Sequence, residues 1–90
     1  MCKGGPEFTL VAEKKECGGS EKFKGRFFTV EECGLSCNEV ASMFIFGTNN
    51  FGPRRCNKKK GCKCYCETSA NDNGSCKEKN HKGYRLYKYD

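Results

Sequence analysis

Cysteine is the residue type whose number and spacing offer chemistry in this chain. Nine of the 90 residues are Cys, and three of them alternate within Gly61-Cys62-Lys63-Cys64-Tyr65-Cys66-Glu67. Thiols can oxidise to disulfides, ligate a soft metal ion or, as thiolates, act as nucleophiles. On a β-strand the side chains of Cys62, Cys64 and Cys66 share one face, while Lys63, Tyr65 and Glu67 take the other. Alternate residues of a strand stand about 7 Å apart, a spacing that suits separate disulfides better than one tetrahedral ion. A nucleophilic cysteine needs a base beside it, and the single histidine, His81, lies in a polar stretch over 77–82 and reads as an exposed polar residue. The carboxylates mostly adjoin lysines and read as surface pairs. Gly4-Gly5 and Gly18-Gly19 lack the strand-to-helix setting of a phosphate loop. The expectation is therefore a protein that is not an enzyme and uses no cofactor and no metal. Cys17, Cys33, Cys37, Cys56, Cys62, Cys64, Cys66 and Cys76 are assigned to disulfides, with Cys2 left as a free or intermolecular thiol. Spacing alone leaves their connectivity open, since eight cysteines allow roughly a hundred pairings.

The second chemical resource is positive charge. Seventeen Lys and Arg against eleven Asp and Glu give a formal charge of +6 and an isoelectric point near 8.9. Five basic residues fall within the eight positions Arg54-Arg55-Cys56-Asn57-Lys58-Lys59-Lys60-Gly61. Clustered cations attract flexible polyanions without a deep pocket, and salt screens the attraction. The candidate ligand-binding set is Arg54, Arg55, Lys58, Lys59, Lys60 and Lys63, the last pointing away from the strand's sulfurs. The bland reading of such a run is a solvated loop that keeps the protein in solution. No nucleic-acid motif accompanies the charge, which by itself gives only salt-sensitive, nonspecific association with DNA or RNA.

These residues need elements to position them. A 90-residue chain is one domain with a thin core. Its mean hydropathy of −0.83 and cysteine content point to a cross-linked scaffold in an oxidising compartment. Residues 1–7 read as a flexible lead-in and 8–90 as the domain. The lead-in has no apolar signal region, so a secreted form would be a mature chain or an excised domain. No apolar run is long enough to span a bilayer as a helix.

Phe8-Thr9-Leu10-Val11-Ala12-Glu13 has strand composition, followed by a loop over 14–22 that holds Cys17. Phe23, Phe27 and Phe28 are assigned to the core. Thr29 with Glu32 three residues on is a capping box, so a helix starts near Val30. Its inward stripe would be Val30, Cys33, Cys37, Val40 and Ala41. Met43-Phe44-Ile45-Phe46 within 42–47 reads as a buried central strand, 48–53 as a loop, and Asn73-Gly74 as a turn in the polar stretch 68–82. Gly83-Tyr84-Arg85-Leu86-Tyr87-Lys88-Tyr89 closes the sheet, with Tyr84 and Leu86 inward and Tyr87 and Tyr89 beside Arg85 on the outer face. The fold class is α+β: a small disulfide-rich domain with one helix packed on a four- to five-stranded antiparallel sheet.

The order of helix, buried strand and cysteine-bearing strand resembles a PAN/Apple domain. The family's helix starts with Thr/Ser-x-Glu-Glu-Cys-x-x-x-Cys, matched by Thr29, Glu31, Glu32, Cys33 and Cys37. Its next strand is matched by Met43-Phe44-Ile45-Phe46 and its later strand by Lys63-Cys64-Tyr65. The resemblance implies a bond from Cys33 to Cys64 and one from Cys37 to a cysteine lying between. Ser42 stands where the family places that cysteine, and Cys56 is the nearest later one. It also implies recognition: such modules bind carbohydrates or proteins, and the related N-terminal domain of hepatocyte growth factor binds heparin.

The expected function is thus a secreted, extracellular binding or adhesion module for an acidic or sulfated glycan or a protein partner. The alternative is a secreted cysteine-rich toxin or antimicrobial effector acting on membranes. Asn73-Gly74-Ser75 is a candidate glycosylation sequon. The chain would act as a monomer, or as a dimer through Cys2 or a sheet edge.

Overall fold

The computed structural model describes residues 6–48 and 56–90. Cys2, Arg54, Arg55 and most of the expected 48–53 loop lie outside the described residues. One helix, α1 (Val30–Cys37), packs on an antiparallel sheet of β1 (Phe8–Cys17), β2 (Lys22–Phe27), β3 (Met43–Gly47), β4 (Cys56–Asn57), β5 (Gly61–Cys66) and β6 (Glu78–Tyr89). The spatial order is β1-β6-β3-β5-β2, with β4 also pairing β5. Among the described residues the sheet thus has six strands, not four or five. The additions are β2, whose phenylalanines the sequence suggests as core, and the two-residue β4.

The capping box forms as the sequence requires. Glu32 N donates to Thr29 Oγ1 at 3.2 Å, and Thr29 N donates back to Glu32 Oε1 at 3.2 Å. The helix stops at Cys37 instead of running on to Ala41, and Val40 is exposed. Its inward face is fastened to β5 by Cys33–Cys64 and Cys37–Cys66. The second bond corrects the expectation that Cys37 would join an intermediate cysteine. Cys64 and Cys66 face the helix one residue pair apart, as Cys33 and Cys37 do one turn apart, so the two bonds lie side by side. Cys56 instead pairs with Cys62, and Cys17 with Cys76.

β3 is buried throughout because both sheet faces are covered. Towards the helix, Phe44, Phe46 and Tyr87 pack with the disulfide sulfurs, and Phe8 and Tyr89 close over them. Phe44 and Tyr87 stack at 5.0 Å, and Phe8 meets both rings edge-on. Tyr87 is therefore buried, not outward. The side chains of β6 alternate as expected, but the face of Tyr87 is covered by Phe8 and Phe44. Met43, Ile45, Tyr84, Leu86 and Cys17 form the core of the opposite face.

β1 runs on to Cys17 through residues expected to be loop, and β6 starts at Glu78 instead of Gly83. Both extensions are polar because they pair with one another at the sheet's margin. Between Glu13↔Arg85 and Lys15↔Asn80, β1 advances two residues and β6 five, an irregularity at which Lys14 takes φ +60°. Beyond this bulge the ribbon bends over the second face: Cys17 Sγ lies 3.8 Å from Met43 Sδ, and Gly18 N donates to Lys77 O at 2.7 Å. His81, expected to be exposed, is half-buried here with its ring 4.6 Å from that of Tyr84. Phe23 and Phe28 are exposed, contrary to the core assignment, because β2 is the other edge of the sheet. Phe27 is half-buried against the helix-side core.

Candidate functional site

The lysines Lys58, Lys59 and Lys60 lie on the turn between β4 and β5 and are exposed. The turn is tightly specified. Asn57 Oδ1 accepts from Lys59 N at 2.7 Å and Lys60 N at 3.2 Å, and the Cys56–Cys62 disulfide clamps the strands behind it. Gly61 takes φ +93° with its Cα pressed against the backbone of Phe27, where a Cβ would collide with the carbonyl. Three cations are therefore displayed on a fixed hairpin instead of a slack loop.

Next to this hairpin is an opening in the helix layer. α1 has eight residues, spans about 12 Å and packs over β2, β3 and β5. The sheet beyond Val30 is left without a helix above it, and a cavity of about 410 Å³ lies there. Phe46, Arg85, Tyr87 and Cys62 line it from the sheet, Phe28 and Val30 from the helix entry, and Asn57 and Lys58 from the hairpin. Arg85 Nε and Thr48 Oγ1 are buried and meet no hydrogen-bond partner among the described residues. The carboxylate of Glu13 approaches Arg85 Nε only to 3.7 Å. Burial raises the pKa of the Tyr87 phenol, and the Arg85 charge opposes that shift without cancelling it. The described lining contains no carboxylate, imidazole or free thiol.

The structure divides the expected basic set. Lys58 borders the cavity, Lys59 and Lys60 flank it on the turn, and Lys63 stands on the opposite face of the sheet, in register with Arg26. Arg26 Nη1 donates to Gly61 O at 3.1 Å and so braces the hairpin from behind. Arg85, Tyr87 and Phe28 border the cavity and lie outside the basic set expected from the sequence. Phe28 had been assigned to the core yet is 64% exposed, and Arg85 carries no sequence signal beyond its place in an alternating strand. Asn73 is exposed in the expected turn, where Gly74 takes φ +79° and Ser75 Oγ donates to Asn73 Oδ1 at 2.7 Å.

No protein-family model, curated protein or solved structure matches this chain.

Proposed function

We propose that the protein is an extracellular, non-catalytic binding module whose ligand is an acidic or sulfated glycan. The observation that carries this reading is the cavity beside the clamped hairpin, where Arg85 and Lys58 offer cationic donors on the same lining as the exposed ring of Phe28. Sulfate and carboxylate groups accept charge-assisted hydrogen bonds from guanidinium and ammonium groups. Aromatic faces supply flat apolar contact for the C–H face of a sugar ring. A volume of about 410 Å³ is in the range of small-ligand sites. Lys59 and Lys60 would extend the contact along a longer chain. Four disulfides suit the oxidising surroundings in which such ligands occur. The resemblance to PAN/Apple modules leads to the same class of ligand.

Elution from immobilised heparin, compared with a plain sulfonate exchanger, tests the reading. The wild type is expected to need clearly more salt on heparin. Changing Lys58, Lys59 and Lys60 to Ala should remove that difference, and Arg85→Ala should reduce it while leaving elution from the sulfonate resin nearly unchanged. Release from both resins at the same salt would show that the charge serves solubility only, and would turn attention to a protein partner.

A further inference from the structure

Three carboxylates converge on the side of the molecule where β1 ends, β2 begins and β5 ends. Glu16 precedes Cys17 at the end of β1, Glu21 stands just before β2, and Glu67 directly follows β5. One oxygen from each lies within 4.8 Å of the other two. Like charges so close repel unless something positive lies among them.

Glu67 sharpens the point because it is fully buried. Its Oε2 accepts the Cys17 backbone N–H at 2.9 Å, while Oε1 is sealed from solvent and meets no hydrogen-bond donor. The carboxyl of Glu21, itself an acceptor, lies beside that of Glu67. Two facing acceptors are joined either by a shared proton or by a cation. The framework around them is firm: Glu67 N donates to Met43 O at 2.9 Å, Ser69 N donates to Ser20 O at 3.1 Å, and Cys17 is held by its bond to Cys76.

We propose that Glu16, Glu21 and Glu67 form a binding site for a hard divalent cation of calcium's size. Calcium takes oxygen ligands at about 2.3–2.6 Å, so oxygens on opposite sides of one ion stand about 4.6–5.2 Å apart. Three oxygens confined within 4.8 Å are close enough together to share one such shell. Glu21 is exposed and Glu16 half-buried, which leaves an entry path and room for water to complete the coordination. His81 and Lys79 act on Glu21 from β6 and moderate the negative field, so the expected affinity is that of weak extracellular sites, about 10⁻⁴–10⁻³ M. A bound ion would tie the ends of three strands together on the side of the sheet away from the glycan cavity.

The test is calorimetric titration of calcium chloride into chelator-treated, disulfide-intact protein above about pH 8, with melting temperatures in parallel and magnesium chloride as comparison. One calcium ion per chain is expected, together with a rise in melting temperature and weaker binding of magnesium. Glu21→Gln should weaken binding by about tenfold or more. Glu67→Gln should abolish it while melting no lower than the calcium-free wild type. Because Glu21 is exposed, its variant folds whatever the buried one does. Absence of both heat and a melting shift in the wild type would overturn the site and leave a shared proton as the link. Binding that persists in both variants would place the ion elsewhere, and equal affinity for magnesium would overturn the size assignment.

Discussion

Glu67 is the residue where the cost of burial is plainest. Desolvation, only partly offset by the Cys17 N–H and reinforced by Glu21 and Glu16, pushes its carboxyl up to about 8 from the ordinary 4.5. Burial raises Glu21 as well, opposed by the charges of His81 and Lys79. Between pH 4.5 and about 8 the folded chain holds a proton on Glu67 that the unfolded chain has lost. Stability therefore falls as pH rises through that window and levels off above it. Glutamine is neutral at every pH, so Glu67→Gln in chelator should melt close to the wild type at low pH and clearly above it at high pH. One kcal/mol moves the melting temperature of a domain this size by about 4–8 °C, and a difference of at least that order is expected above pH 8. Parallel melting curves for the two proteins from acid to base would show that Glu67 does not hold the extra proton.

Among the elements, α1 is the one whose stability is most delegated. An eight-residue helix with Gly34 inside it is marginal by propensity. It persists because its start is capped and its inner face is bonded to β5. Gly34 is needed all the same. A Cβ there would come within 2.8 Å of the Phe8 ring, and the Tyr89 hydroxyl donates to its carbonyl. Thr29→Ala removes the cap and should cost about 1 kcal/mol, read as a lower urea midpoint with unchanged slope. A cost near zero would mean that the two helix disulfides alone hold the element. The shortness of this helix matters for the proposed site too, since another turn at its N-terminus would cover the cavity over Arg85.

At the scale of the whole molecule, cross-links stand in for a core that two thin layers cannot supply. The bonds differ in what they restrain. Cys17–Cys76 spans 59 residues and holds the β1–β6 ribbon over the second face, whereas Cys56–Cys62 spans 6 and shapes only the hairpin. By loop-closure entropy the first is worth about 4 kcal/mol and the second about 2. Replacing Cys17 and Cys76 by Ser should therefore lower the denaturant midpoint about twice as much as replacing Cys56 and Cys62. The reverse ranking would place the molecule's weak point in the hairpin instead of the ribbon. The hairpin variant has a further expected consequence: the heparin preference should weaken even where the fold survives, because the lysines lose their fixed display. Among the described residues no helix is long and apolar enough to cross a membrane.

Sequence by itself determined the elements whose signals are local. Thr29 and Glu32 specify the helix start by their own hydrogen bonds, the apolar run at Met43–Gly47 specifies a strand buried on both faces, and alternating Cys62, Cys64 and Cys66 specify a face of sulfur. Tertiary structure decided whatever depended on which surface is covered. Polar residues at the ends of β1 and β6 are strands only because each finds the other, a pairing that hydropathy does not encode. Tyr87 is buried because the rings of Phe44 and Phe8 close over it, and Phe23 is exposed because β2 is an edge. Glu67 reads in sequence as one more surface carboxylate, and only the bend of the ribbon brings Glu16, Glu21 and Cys17 against it. Arg85 borders an open cavity only because α1 starts at Val30 and does not extend over it. Local hydrogen bonding and side-chain alternation act over a few residues and survive in the sequence, whereas burial and charge convergence join residues far apart in the chain and exist only once the layers are packed.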